Sequence, residues 1–136
     1  MMVRYFLDAN VIVSGLLWPG NPQTILELAR DGQINIVVSQ YVLDEVAHVF
    51  ADYFAADDPD VLHHLEEVIT HFSEIIEPTP ADVQECSKSL TDKKDANILA
   101  SAIASKSVLV TGDKKLAAEA KKFVKVFTPA ELLKDF

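Results

Sequence analysis

Four acidic side chains that are far apart in the sequence are predicted to meet at one edge of a β-sheet: Asp8, Glu45, Asp95 and Asp113. Asp8 and Asp113 each follow a short apolar run of the kind that forms strands buried on both faces. In open α/β sheets, the functional crevice lies beyond the carboxyl ends of such strands. Glu45 and Asp95 share or border the inward faces of predicted helices. If the strands are neighbours, all four carboxylates converge.

Carboxylates that are crowded together repel one another, and at least one is forced to protonate unless a positive group stands among them. Mg²⁺ or Mn²⁺ resolves this conflict, because both are hard cations that prefer oxygen ligands. Such a site suits phosphodiester hydrolysis, in which metal ions activate a water and stabilise charge on the phosphate. The four acids would then be both metal ligands and catalytic residues, and Asn10 and Thr111 would orient ligands or water. The lysines beside the acids would contact the backbone of a nucleic acid: Lys93, Lys94, Lys114 and Lys115.

These residues also have a purely structural interpretation. Asp8 would cap a helix that starts near Asn10. Asp92, as an N-cap, and Asp95, in the first turn, would stabilise the next helix through its dipole. The lysines would be solvated residues on helix faces. The functional interpretation therefore depends on whether the acids reach one place.

The elements that must position these residues alternate between strands and helices. Strands are predicted at residues 3–7, 34–38, 74–76, 107–110 and 123–127. Helices are predicted at residues 10–18, 24–30, 40–54, 60–72 and 81–90, and three more begin near residues 92, 114 and 129. Ser39 and Thr128 are predicted N-caps. The alternation predicts the α/β class, with a three-layer α/β/α sandwich around a central, mainly parallel sheet.

Composition narrows the class of protein. With 136 residues, of which 49% are hydrophobic and 24% are charged, the chain fits one globular domain. It has no apolar run of membrane-spanning length and no signal pattern at its N-terminus, so we expect a soluble cytoplasmic protein. Cys86 is the one cysteine, which excludes an internal disulfide and a Cys-rich zinc site. Histidines are expected on helix surfaces: His48, His63, His64 and His71.

The charge is divided unevenly along the chain. A net charge of −9 argues at face value against a nucleic-acid partner. However, residues 1–87 carry 2 basic and 15 acidic side chains, whereas residues 88–136 carry 10 basic and 6 acidic ones. A nucleic acid would therefore have to approach through the C-terminal lysines.

Four segments of the chain resemble the PIN-domain ribonucleases, and within that class the VapC-like toxins of prokaryotic toxin–antitoxin pairs. The segments are residues 7–14, 38–46, 92–95 and 110–113, and the similarity extends from about residue 4 to residue 133. The resemblance implies a single PIN-like domain over residues 1–136. It also implies the roles of the site residues: four acids at Asp8, Glu45, Asp95 and Asp113, polar helpers at Asn10 and Thr111, and a further acid at Asp92.

The resemblance further implies a biochemical function. It indicates a Mg²⁺- or Mn²⁺-dependent enzyme that cleaves single-stranded RNA, forms homodimers, and is inhibited by an antitoxin that occludes the site. The chain departs from the family pattern at Ala9, where a small hydroxyl residue is common. It also departs at Lys93 and Lys94, where related sequences often carry Pro and another acid. None of these departures removes a member of the acid set.

Two other classes of function compete with a ribonuclease. One is a PIN-like module that binds a protein partner without catalysis, and the intact acid set argues against it. The other is a phosphoryl-transfer α/β enzyme of the haloacid-dehalogenase or receiver type, which also places Asp after its first strand. The dehalogenase type expects a second Asp two residues on, where this chain has Asn10. The receiver type pairs its site with an acid before the first-strand Asp, which is absent here.

Overall fold

The computed structural model describes residues 3–54, 69 and 73–136, and a parallel sheet forms its centre. The described strands are β1 (Arg4–Leu7), β2 (Asn35–Ser39), β3 (Ser73–Ile76), β4 (Val108–Val110) and β5 (Val126–Phe127). Their order is β3-β2-β1-β4-β5, and each neighbouring pair is parallel. The side chains of β1, β2 and β4 are largely buried, because helices cover both faces of a parallel sheet.

Helices fill the connections between these strands. The described helices are α1 (Ala9–Leu17), α2 (Asn21–Arg30), α3 (Gln40–Phe54), α4 (Pro80–Ser87), α5 (Ala96–Ala104), α6 (Lys114–Ala120) and α7 (Pro129–Leu133), and a 3₁₀ turn spans Lys93–Asp95. Both predicted caps are confirmed. The Ser39 hydroxyl accepts a hydrogen bond from the Val42 amide at 3.2 Å, and Thr128 forms a reciprocal capping box with Glu131.

The helices form two groups. Helix α1 packs against α2 and α3, and α4 packs against α5. Because parallel crossovers are right-handed, connections that run in opposite directions along the sheet lie on opposite faces. Gly15 allows α1 and α2 to approach closely, since a Cβ there would lie 2.6 Å from Leu26 Cδ1 and 2.8 Å from the Pro22 carbonyl oxygen. The three-layer α/β/α arrangement with a parallel centre is confirmed.

Three elements differ from their predicted bounds by three residues. Helix α2 begins at Asn21 rather than at residue 24, because a proline in the first helical turn leaves no amide unsatisfied. Helix α4 ends at Ser87, before residue 90. Strand β5 is shorter than predicted, because the amides of Phe123 and Val124 both donate to the Ala120 carbonyl and fold residues 121–124 into a turn. The predicted helix at 60–72, with His63, His64 and His71, lies outside the described residues except for the buried Ile69.

The strand order fixes where a site can form. From β1 the chain moves outward to β2 and β3, and it then crosses to the other side of β1 to form β4 and β5. The crevice beyond the carboxyl ends of β1 and β4 is therefore the topological switch point of the sheet, the usual ligand position in this class of fold. No helix among the described residues is long and apolar enough to cross a membrane.

Candidate active site

An open pocket of about 680 Å³ lies at this switch point. All four acids predicted from the sequence line it: Asp8, Glu45, Asp95 and Asp113. The pocket wall also includes Asn10, Asp92 and Lys94. Side chains that are separated by up to 105 positions in the sequence therefore face one cavity, as the positions of the strands and helices require.

Asp8 is the most deeply buried acid of the pocket, with 6% of its surface exposed. Its amide donates to the Val110 carbonyl at 3.1 Å, which ties the end of β1 to β4. Although Asp8 occupies the N-cap position of α1, its side chain forms no capping hydrogen bond. Its Oδ2 instead accepts a hydrogen bond from the Thr111 hydroxyl at 2.8 Å. Asp8 thus occupies the predicted cap position without a capping hydrogen bond, and it lines the pocket.

Thr111 links two acids of the site. Its side chain is buried, and besides donating to Asp8 its Oγ1 accepts a hydrogen bond from the Asp113 amide at 3.1 Å. Burial raises the pKa of Asp8, while the Thr111 hydroxyl and the nearby amides of Asn10 and Ala9 lower it in part. Ionisation of the buried Asp8 carboxyl is therefore unfavourable, and the Thr111 hydroxyl fixes the orientation of this carboxyl.

Asp113 and Asp92 both have structural roles. Asp113 caps α6, because its Oδ1 accepts from the amides of Lys115 and Leu116 at 2.9 and 3.1 Å. Asp92 caps the 3₁₀ turn by accepting from the Lys94 amide at 3.0 Å, which confirms its predicted capping role. Both side chains remain exposed at the pocket. A cap and a site residue are compatible here, since each capping carboxylate uses one of its two oxygens.

Glu45 lies on α3, one turn after Tyr41. The Tyr41 hydroxyl donates to the Glu45 carboxylate, and burial together with the neighbouring charge of Asp8 raises the pKa of Glu45 despite this bond. Burial and the adjacent carboxylates raise the pKa of Tyr41 to about 12, so its hydroxyl stays protonated. Sequence reasoning missed Tyr41, although its i, i+4 spacing from Glu45 was a usable signal.

Asp95 is affected by every other acid of the predicted set. It closes the 3₁₀ turn before α5 without making a capping hydrogen bond. Burial, followed by the charges of Asp92, Asp113, Asp8 and Glu45, raises its pKa to about 6. All four of these neighbouring charges are negative, so they disfavour the ionised form of Asp95.

The predicted lysines are placed differently from one another. Lys94 lines the pocket. The Lys93 ammonium donates to the carbonyls of Ser87 and Leu90 instead. Lys114 and Lys115 are exposed but are not among the lining residues. His48 was expected at the surface, and it is exposed, but it also forms part of the pocket wall.

A hydrogen-bond network connects α3, which carries Glu45, to α5, which begins directly after Asp95. The buried Ser39 hydroxyl donates to Asn97 Oδ1 at 2.8 Å while it caps α3. The Ser101 hydroxyl also donates to Asn97 Oδ1, at 3.4 Å. The network fixes the start of α3 against the first turn of α5. Asn97 was missed from the sequence, because its partners lie on separate elements.

The chemistry of the site fits a hydrated divalent cation. Its donors are carboxylate oxygens, the ligands that Mg²⁺ and Mn²⁺ prefer. Within the described part of the chain, no three acidic, His or Cys side chains are close enough to hold a metal ion by themselves. Mg²⁺ usually binds through one or two carboxylates and keeps several waters, so spaced acids around an open pocket suit it. Burial and then repulsion by the neighbouring acids raise the pKa of Asp95, and a bound cation would relieve the repulsion.

The fold and the pocket together define an α/β protein with an acidic site at the switch point of a parallel sheet. The family model described as the PIN domain matches residues 4–115, and the chain belongs to this family. No protein of curated function matches the sequence at a significant level.

Several solved structures share the fold. The structure of VapBC2 from Rickettsia felis bound to a promoter DNA fragment matches with 20% identity, covering 93% of this chain and 98% of that one, at a TM-score of 0.68. PAE2754 from Pyrobaculum aerophilum matches with 21% identity, coverages of 99% and 97%, and a TM-score of 0.70. A toxin–antitoxin complex from Klebsiella pneumoniae matches with 21% identity, coverages of 92% and 97%, and a TM-score of 0.63.

Proposed function

We propose that the protein is a metal-dependent endoribonuclease that hydrolyses phosphodiester bonds in single-stranded RNA. The convergence of Asp8, Glu45, Asp95 and Asp113 on one open pocket carries this proposal. Membership of the PIN domain family supports a nuclease. The same membership argues against the haloacid-dehalogenase and receiver alternatives.

In this mechanism the four acids would hold Mg²⁺ or Mn²⁺. When bound, the ion supplies an activated water and neutralises the charge that develops on the scissile phosphate. Thr111 keeps the Asp8 carboxyl oriented, and Tyr41 does the same for Glu45. Lys94, in the pocket wall, offers a positive charge to the phosphate backbone.

The shape of the pocket supports a single-stranded substrate. An open pocket leaves room for a polymer that continues beyond the bound segment. The rings of Tyr41 and His48 form part of its wall, and unpaired bases stack on such rings. A duplex keeps its bases stacked inside the helix and would not use these surfaces.

The first test is cleavage of a labelled single-stranded RNA pool with Mn²⁺, Mg²⁺ or EDTA. We expect metal-dependent cutting, and we expect Asp95→Asn to reduce it by about 100-fold or more because a metal ligand is lost. Asp52→Asn is the matched control, since it makes the same change at an exposed position of α3. Cutting that persists in Asp95→Asn would identify a contaminating ribonuclease.

A catalytically silent binding module is the second candidate. One observation leaves it open: metal binding in this pocket would depend on water ligands, because no three acidic, His or Cys side chains among the described residues could hold an ion by themselves. Calorimetric titration of the protein with Mn²⁺ separates the two candidates. Failure to bind Mn²⁺, together with failure to cut the RNA pool, would remove the nuclease proposal.

We also propose that the protein acts as the toxin of a toxin–antitoxin pair, forms a homodimer, and is inhibited by an antitoxin that covers this pocket. The similarity to structures described as toxin–antitoxin complexes supports this role. An occluding segment would need basic side chains to match the acids. Co-expression with the product of the adjacent gene, followed by light scattering and a cleavage assay, tests the partner and the dimer together.

A further inference from the structure

A second surface, on the opposite edge of the sheet, combines lysines with an exposed aromatic ring. Its residues, here named the basic turn, are Lys106, Lys121, Lys122, Phe123 and Lys125. They lie just before β4 and β5, whereas the acidic pocket lies after β1 and β4. The length of β4, three residues, separates the two edges by about 10 Å.

The basic turn borders a shallow groove of about 340 Å³. Lys106, Phe123 and Lys125 line this groove together with Ile103. Phe123 is 50% exposed and Ile103 is 41% exposed, so both present apolar surface to solvent. Hydrogen bonds from the amides of Phe123 and Val124 to the Ala120 carbonyl hold the turn in place. The exposed ring therefore sits on an ordered backbone.

In the part of the chain that the structure describes, the lysines of the basic turn have no acidic partners. Among the described residues, none of Lys106, Lys121, Lys122 and Lys125 forms an ion pair, and no acid lines the groove. This absence contrasts with the net charge of −9, which makes acids abundant in the chain. A cluster of uncompensated cations attracts a polyanion.

We propose that the basic turn is an auxiliary binding surface for single-stranded RNA, an inference that rests on the proposed ribonuclease function. The catalytic pocket is lined by acids that repel phosphate, so much of the affinity for a long substrate has to come from another surface. Exposed lysines contact phosphates, and an aromatic ring stacks an unpaired base. An acidic peptide is less well matched, because a ring flanked by lysines is the arrangement that single-stranded nucleic-acid sites use.

The length of β4 predicts how this surface acts. A strand of RNA held in the pocket reaches the basic turn only if it extends several nucleotides beyond the cleaved bond. Sites of this kind cover roughly 4–16 nucleotides. Replacing the lysines or the aromatic ring of the basic turn should therefore weaken binding and cleavage of a long RNA. Cleavage of a very short RNA should be unchanged.

The test variant is Lys106→Asn with Lys122→Ala. Lys106 has a φ of 54°, and asparagine tolerates this left-handed conformation, so the fold is preserved. The matched control is Lys88→Ala with Lys134→Ala, which removes the same charge from exposed sites elsewhere. A second pair compares Phe123→Leu with Phe136→Leu, two exposed rings of which only Phe123 lines the groove.

Binding is measured by fluorescence anisotropy in EDTA with a labelled RNA of about 20 nucleotides, so that no cleavage occurs. We expect the lysine variant to bind about 10-fold more weakly, with a salt dependence shallower by about two ion contacts. We expect Phe123→Leu to weaken binding about 5-fold. Equal binding by test and control variants would overturn the proposal, as would a loss of polyglutamate binding without a loss of RNA binding.

A cleavage assay separates this inference from the proposed function. With Mn²⁺, the lysine variant should cut the RNA of about 20 nucleotides with a higher KM and cut one of about 4 nucleotides like the parent protein. If the parent protein binds RNA through the basic turn but never cuts it, the ribonuclease proposal fails and the binding surface stands. If the parent protein cuts both RNAs and the lysine variant cuts them equally well, the proposal of an auxiliary binding surface fails and the ribonuclease proposal stands.

Discussion

At the scale of single residues, the site depends on carboxyls that are held where ionisation is costly. Asp8 is almost fully buried, yet the Thr111 hydroxyl at 2.8 Å fixes its orientation. Among the described residues, no side chain plays a comparable role for Asp95, and the charges of four other acids act on it. These acids concentrate negative charge in one pocket. Functional sites are where such unfavourable arrangements are found.

The raised pKa of Asp95 has a consequence for stability. Its pKa is about 6 in the folded protein, against 3.8 for an unperturbed aspartate, so the folded state binds the proton more tightly than the unfolded chain does. Stability in EDTA should therefore fall as pH rises from about 4 to about 6, and remain lower above that range. Because Asp95 is partly exposed, we discount the effect for solvent screening to about 1 kcal/mol.

Asp95→Asn provides the test of this pH dependence. It should be more stable than the parent protein at pH 7 by about 1 kcal/mol and show little difference at pH 4. Urea unfolding in EDTA at both pH values measures this, with Asp52→Asn as the control at an exposed site. A parent protein that gains stability between pH 4 and 6 relative to Asp95→Asn would contradict the assignment.

At the scale of secondary-structure elements, sequence patterns within a few residues predicted helix bounds and caps, but contacts between distant residues were harder to predict. The bounds of α3 and the caps at Ser39 and Thr128 follow from patterns within a few residues, and the structure matches them. The bond between Thr111 and Asp8 joins positions 103 apart, so only the parallel topology could suggest it. Asn97 was missed for the same reason. The last strand was predicted too long. The turn around Phe123 contains apolar residues, as the strand after it does, so the sequence pattern does not distinguish the turn from the strand.

Ser39 and Thr128 are both hydroxyl N-caps, so a comparison of their alanine variants tests whether Ser39 also positions the site. Ser39→Ala removes the cap of α3 and the hydrogen bond to Asn97, and Thr128→Ala removes the cap of α7. Each should lower the free energy of unfolding by about 1–2 kcal/mol. Only Ser39→Ala should also slow RNA cleavage, by about 10-fold, because it loosens Glu45 relative to Asp95.

Urea unfolding and the initial rate of cleavage, measured well below the unfolding transition, give the two quantities. Thr128→Ala is the matched control, since α7 does not contribute to the pocket. If both variants lose activity in proportion to stability, the Ser39–Asn97 network has a structural role only.

At the scale of the whole molecule, topology and charge divide the surface between two edges of the sheet. The carboxyl edge collects the acids, because the chain reverses direction across β1 at that point. The amino edge near β4 and β5 carries lysines that have no acidic partner among the described residues. If both proposals hold, this division would separate a cation-binding site from a polyanion-binding surface within one small chain. It also predicts that divalent ions and RNA stabilise the protein through different residues.

Divalent cations should therefore raise the stability of the parent protein through the acidic pocket. A ligand that binds only the folded state stabilises it by RT ln(1 + [L]/Kd), which is about 1.4 kcal/mol at ten times Kd. We expect MnCl₂ or MgCl₂ to raise Tm at pH 7, because the ion relieves repulsion among Asp95 and its acidic neighbours. NaCl at equal ionic strength controls for screening.

Asp95→Asn should show a smaller shift in Tm than the parent, and Lys106→Asn with Lys122→Ala should show the same shift as the parent. A shift that is equal in the parent and in Asp95→Asn would place the ion outside this pocket.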